Sequence, residues 1–139
     1  MPAKDLYHDI VVEALEAEGW MITHDPLFLA YGGRSLYVDL GVEGETLAAE
    51  KSGARLAIEI KSFVQPSPVD DLQEALGAYV IYRAILEETD PDQMLFLAVP
   101  VRAWEGIFSE RLGQLILEKE SLRLIVYDVK TRRIVKWIS

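Results

Sequence analysis

Arg55-Leu-Ala-Ile-Glu-Ile-Lys-Ser-Phe63 is an apolar run interrupted by an acid and a base two residues apart. It reads as a β-strand. Side chains alternate along a strand, so Glu59 and Lys61 share one face while Ile58 and Ile60 share the other. Charges on a core strand are costly to bury without a purpose. One purpose fits: a carboxylate that holds a metal ion, beside an ammonium that meets a phosphate or a water.

The chain around this strand has 139 residues, the size of one domain, and half of them are apolar, enough to build a core. No apolar stretch reaches the ~18–20 residues that span a bilayer, so no membrane association is expected. The first residues lead into an amphipathic pattern rather than a signal peptide. There is no cysteine, hence no disulfide, thiolate metal site or cysteine nucleophile. A cytoplasmic location agrees with this.

The formal net charge is −9, from 14 basic and 23 acidic residues. That argues against broad, tight nucleic-acid binding by the isolated chain. The charge is uneven, however. From Lys119 onward, Lys119, Arg123, Lys130, Arg132, Arg133 and Lys136 stand against Glu120 and Asp128. Two sources of positive charge stay open: a local basic patch, or a basic partner.

Helical spacing of Leu6, Ile10, Val11, Ala14 and Leu15 predicts a first helix, with Gly19 at its C-terminal cap. Trp20–His24 reads as a strand stopped by Asp25-Pro26, and Ser35–Leu40 as a second. Glu45–Lys51 is either a short helix or part of a hairpin that turns at Ser52-Gly53. Ser67-Pro68, followed by Asp70 and Asp71, opens a helix that runs to about Glu88. Met94–Val99 is a buried strand. A third helix carries Trp104, Ile107, Phe108, Leu112, Leu115 and Ile116, of which Trp104 and Phe108 are assigned to the core. Leu122–Tyr127 and Ile134–Ile138 close the chain as a hairpin around residues 128–133. The order α-β-β-β-α-β-α-β-β is that of a single α/β domain, a central mixed β-sheet flanked by helices.

Asp39 is the natural companion of Glu59 and Lys61. If the strands that carry Asp39 and Glu59 pair, the two carboxylates converge on one hard cation, Mg²⁺ or Mn²⁺, and the carbonyl of Ile60 adds a further oxygen. Lys61 would then orient a water or stabilise charge on a phosphate. This outlines metal-assisted phosphodiester hydrolysis. The alternative is a solvated strand edge on which Glu59 and Lys61 simply face water.

The pattern Asp, then Glu-x-Lys on adjacent strands, resembles the PD-(D/E)XK nuclease superfamily. The chain as a whole resembles the XisH family, the fdxN-element excision controlling factors. The resemblance is carried by Lys4–Asp9, Gly19–Pro26, Val38–Gly41, Ala49–Lys51, Ile58–Phe63, Asp71–Gly77 and Trp137-Ile138. It implies a restriction-endonuclease-like core, a controlling role in DNA excision, and a companion of the XisI kind. DNA is a further implied partner, and a homo-oligomer is left open. One departure stands out: a Gln commonly follows the helix glycine in the family, whereas Ala78 follows Gly77 here. Gln73, a turn earlier, is either a substitute or an exposed polar residue. Some nucleases of the superfamily add a helix carboxylate as a metal ligand. That makes Glu13 a candidate, against a solvated helix face. His8 and His24 are bases or ligands on one reading and structural histidines on the other. Tyr79 and Tyr82 either line the cleft or pack, and Trp137 belongs to the core or to a partner interface.

Two functions from different classes follow. One is a metal-dependent nuclease built on Asp39, Glu59 and Lys61. The other is a non-catalytic protein–protein module that binds an XisI-like companion.

Overall fold

The strand that opens the sequence argument, β5 (Lys51–Ile60), lies inside a six-stranded sheet in a computed structural model that describes residues 4–46 and 51–139. The other strands of the sheet are β1 (Met21–His24), β4 (Leu40–Thr46), β6 (Met94–Pro100), β7 (Leu124–Asp128) and β8 (Arg133–Ile138). Their spatial order is β1-β4-β5-β6-β7-β8. The β5–β6 and β6–β7 pairs are parallel, and the outer pairs are antiparallel. Parallel neighbours need a crossover. Helix α2 (Pro68–Thr89) supplies the first, and α3 (Val101–Glu105), a 3₁₀ turn (Ile107–Ser109) and α4 (Arg111–Lys119) supply the second. The architecture is a mixed α/β domain, as expected.

Alternation divides the core in two. Ala57, Leu95, Leu97, Val99, Leu124 and Val126 point to the face covered by α2–α4. Leu56, Ile58, Ile60, Phe96, Ala98, Ile125 and Tyr127 point to the face covered by α1 (His8–Ala17). Glu59 follows the parity of Ala57 and so belongs to the α2 face.

Local signals behave as the residues dictate. Gly19 takes φ 90, with Gly19 N–H donating to Glu16 O and Trp20 N–H to Leu15 O, a Schellman end to α1. Ser67 Oγ accepts from Asp70 N–H at 3.3 Å at the start of α2, with Pro68 in the first turn. Asp128 Oδ1 accepts from Lys130 N–H at 2.8 Å and closes the β7–β8 turn.

Four expectations are revised. Asp25-Pro26 does end a strand, but the chain at once enters β2 (Leu27–Tyr31), which pairs with β3 (Arg34–Val38) as a separate hairpin. The expected Ser35–Leu40 strand is split at Asp39, which sits in a bend between β3 and β4. A turn at Ser52-Gly53 is excluded, because both residues lie within β5, and its described neighbour β4 runs antiparallel to it. Residues 47–50, with most of the helix-or-hairpin segment and the Ala49-Glu50 match, lie outside the described residues. The single third helix is broken into three pieces. A side chain at Gly106 would meet Arg102 O at 2.8 Å, and one at Gly113 would meet Ile107 O at 2.0 Å. The 3₁₀ turn and α4 thus fold onto each other at Gly113, while Gly106 caps the end of α3. Phe108 becomes fully buried while Leu112 and Leu115 stay exposed.

Candidate functional site

Pairing of β4 with β5 sets Leu40 opposite Ile58, so the next step along each strand brings Asp39 beside Glu59. There the backbone ladder gives way to side chains. Asp39 N–H donates to Glu59 Oε1 at 3.2 Å, and Ile60 N–H donates to Asp39 Oδ2 at 2.8 Å. The bend at Asp39 makes this exchange feasible. On either side of it, Val38 and Leu40 are buried in opposite cores, so the bend is anchored on both faces.

The two carboxyls are within hydrogen-bonding reach of each other. Burial raises Asp39 above the ordinary carboxylate range, with the Ile60 amide pulling the other way. Burial, then the charge of Asp39, pushes Glu59 up to about 9. Without a cation the burial and the neighbouring charge therefore disfavour ionisation of Glu59 at neutral pH.

Lys61 extends the same face toward α2. Its Nζ is 2.5 Å from Glu74 Oε2 and 3.7 Å from Asp71 Oδ1. Burial works against the ammonium, but the Glu74 bond and the charges of Glu74, Asp71 and Asp5 outweigh it and raise the pKa. Asp71 is 1% exposed and also accepts from Gln65 N–H at 3.1 Å. Gln65 Nε2 donates to Glu74 Oε2 at 3.2 Å. Lys61 N–H continues the sheet by donating to Ala98 O at 3.0 Å.

Residues beyond the expected triad complete the surroundings. Asp5 Oδ2 accepts from Ser62 N–H at 3.1 Å, and its charge bears on Asp39, Glu59 and Lys61. Tyr82, two α2 turns beyond Glu74, is half-buried. Burial, then the charges of Glu59 and Asp39, raises its hydroxyl to about 12. Asp5 and Asp71 fall in segments that carry the family resemblance, which is the signal that could have found them. Glu74 falls in the same segment as Asp71. Tyr79 is the packing tyrosine: it is buried, its hydroxyl donates to Leu95 O and it accepts from Arg123 N–H.

The remaining candidates separate. Glu13 is drawn to the β7–β8 turn, where it pairs with Arg132 and Arg133. The hydrogen bonds of the Asp39–Glu59 site do not include it. His24 is exposed, with Nδ1 3.0 Å from Thr23 Oγ1. Gln73 is exposed. His8 is 3% exposed, with Nε2 2.8 Å from Asp25 Oδ1. No aligned hydrogen bond reaches either ring nitrogen among the described residues, so this is a close approach only. Ala78, the departure from the family pattern, lies one helical turn from both Glu74 and Tyr82. Trp137 packs against Trp20 and Phe96, with ring centroids 5.8 and 5.4 Å away, and donates to Glu18 Oε1 at 3.1 Å. A cleft of about 420 Å³ beside Phe63, Gln65, Arg102 and Ile107 includes none of Asp39, Glu59 or Lys61.

The donor chemistry suits a hard divalent cation: two carboxylates at one point, followed in sequence by the Ile60 carbonyl. No group of three or more acidic or histidine side chains clusters as a metal site among the described residues. The side chains that could hold such an ion are thus the Asp39–Glu59 pair.

The family model described as XisH protein matches residues 1–135. A crystal structure of an fdxN element excision controlling factor protein from Anabaena variabilis is 33% identical, with a TM-score of 0.87, covering 98% of this chain and 100% of that one. A crystal structure of an XisH family protein from Nostoc punctiforme is 32% identical, with a TM-score of 0.87, covering 97% of this chain and 100% of that one. No curated protein matches the chain. Among the described residues, no helix is long and apolar enough to cross a membrane.

Proposed function

From the premise that this chain belongs to the XisH family, we propose that it is a controlling factor in DNA-element excision that acts as a metal-dependent DNA phosphodiesterase of the PD-(D/E)XK kind. The observation that carries the reading is the convergence of Asp39 and Glu59 where two strands exchange side-chain hydrogen bonds, with Lys61 just beyond the end of β5, its amide bonded to Ala98 O. Asp39, Glu59 and the Ile60 carbonyl would hold Mg²⁺ or Mn²⁺. Such an ion polarises a phosphate oxygen and acidifies a bound water. Asp39 and Glu59 would serve as ligands in their ionised forms. Lys61 offers an ammonium to the charge that develops on phosphorus-bound oxygen. The test is Mn²⁺ titration and a DNA-nicking assay on the protein with an XisI-like companion present. The wild type is expected to bind Mn²⁺ and nick DNA, Asp39→Ala and Glu59→Ala to lose the metal, and Lys61→Ala to keep the metal but lose cleavage. A complex that binds no Mn²⁺ and leaves every DNA tested intact sinks the reading.

A second reading is favoured by the net charge of −9 and by an aromatic surface on the β2–β3 hairpin. Phe28 and Tyr31 are each 52% exposed, and Phe28 packs against Tyr37 with ring centroids 5.6 Å apart and planes tilted by 57°. Here the domain is a non-catalytic module that binds an XisI-like companion. Co-purification with such a companion, lost on Phe28→Ser, supports it. A strictly monomeric protein indifferent to the companion counts against it.

A further inference from the structure

Of the three residues of the candidate site, Lys61 is the one whose working end is engaged elsewhere. Its ammonium pairs with Glu74 and Asp71 on α2, and its recorded ion pairs include neither Asp39 nor Glu59. The two α2 acids differ. Asp71 is buried and fixed by the Gln65 amide. The Glu74 side chain is 55% exposed, makes the shorter contact at 2.5 Å, and is steadied by Gln65 Nε2 at 3.2 Å. A carboxylate held at the surface on a flexible stem can swing away without leaving a buried charge unpaired.

Resting on the phosphodiesterase reading, we propose that Glu74 is a positioning residue. It latches Lys61 against α2 while the site is empty, and a DNA phosphate takes its place when the site fills. Glu74 and a phosphate are both anions that compete for one ammonium, so binding of DNA carries the cost of breaking the latch. Asp71 stays in place through the exchange and keeps the lysine stem close to the sheet. Gln65 holds Glu74 near enough to re-form the pair after release. The order of events is set by exposure: the surface acid leaves and the buried acid remains.

The test is a double-mutant cycle on the affinity of the full-length protein for a short fluorescent DNA duplex in Mn²⁺. Glu74→Gln is expected to tighten binding about twofold to fivefold, the scale of one partly exposed ion pair. The gain is expected to vanish in the Lys61→Gln background, because it acts through the lysine. Asp70→Asn removes an exposed acid from the same helix and serves as the charge control; it should leave the affinity unchanged. A gain that persists in Lys61→Gln, or one that Asp70→Asn reproduces, overturns the latch and leaves only general charge repulsion. No gain from Glu74→Gln overturns it as well. Absence of both Mn²⁺ and DNA binding in the wild type overturns the phosphodiesterase reading itself, so the two failures are told apart.

Discussion

Asp39 and Glu59 hold each other in place: the amide of one donates to the carboxylate of the other at 3.2 Å, and their carboxyl groups lie within hydrogen-bonding reach. The arrangement is comfortable with one negative charge and strained with two. Its behaviour therefore depends on protons and cations.

The first prediction concerns pH. Glu59 rises from an ordinary value of 4.5 to about 9, so the folded protein binds more protons than the unfolded chain across that window. Stability is then full below about pH 4.5 as far as Glu59 is concerned, and falls as pH rises toward 9. Glu59→Gln should remove this slope and stabilise the metal-free protein by about 1–2 kcal/mol at alkaline pH, well short of the full shift because buried sites relax. Calorimetric unfolding of both proteins at several pH values checks it; parallel profiles would argue against a raised Glu59.

Metal should reverse that alkaline loss. Mn²⁺ at a hundred times its dissociation constant is expected to stabilise the wild type by about 2.7 kcal/mol. The affinity should climb with pH up to about 9, because the Glu59 proton must leave first. Thermal shifts with and without Mn²⁺ read this directly. Asp39→Asn should show no shift, and a pH-independent affinity would exclude the pair as ligands.

Asp71 should matter for stability more than its position at the start of a helix suggests. It is buried, accepts the Gln65 amide and faces Lys61. Asp71→Ala leaves that amide without its acceptor and is expected to cost about 2–3 kcal/mol in urea unfolding. Asp71→Asn keeps an acceptor oxygen and should cost less.

Gly113→Ala tests the broken crossover. The new methyl would lie 2.0 Å from Ile107 O, so the 3₁₀ turn and α4 must part. A loss of about 3 kcal/mol is expected, lowering the melting midpoint by roughly 10 °C. Gly77→Ala at an exposed position of α2, where nothing lies within 4 Å, should not destabilise.

Much of the site could be read from the chain because strand alternation is a local property. The parity of residues 55–61 places Glu59 opposite Ile58 and Ile60, and Ile58 and Ile60 do lie in the core on the α1 side. Ser67-Pro68 and Gly19 act through neighbours a few residues away and were equally legible. Asp5 and Glu74 were not singled out as site residues, because the turn before α1 and helix α2, far apart in sequence, bring them to Ser62 and Lys61. Tyr82, open between cleft and packing, is half-buried and feels the charges of Glu59 and Asp39. Strand β2 was missed because Asp25-Pro26 marks an end without saying what begins. The third helix was over-extended because its apolar residues keep helical spacing across Gly106. What breaks it is contact between α4 and the 3₁₀ turn, which no local pattern records.

The residues just after Glu59-Ile60-Lys61 are tied down from several directions. Tyr127 hydroxyl donates to Lys61 O at 3.4 Å, Asp5 accepts the Ser62 amide, and Arg102 donates to the carbonyls of Ser62 and Phe63, each at 2.8 Å. Phe63 is held at φ 54, a conformation non-glycine residues adopt reluctantly. The backbone under the site is consequently ordered before any ligand arrives. A molecule that binds there spends little of its affinity on freezing the chain, and the entropy that binding usually forfeits was surrendered during folding.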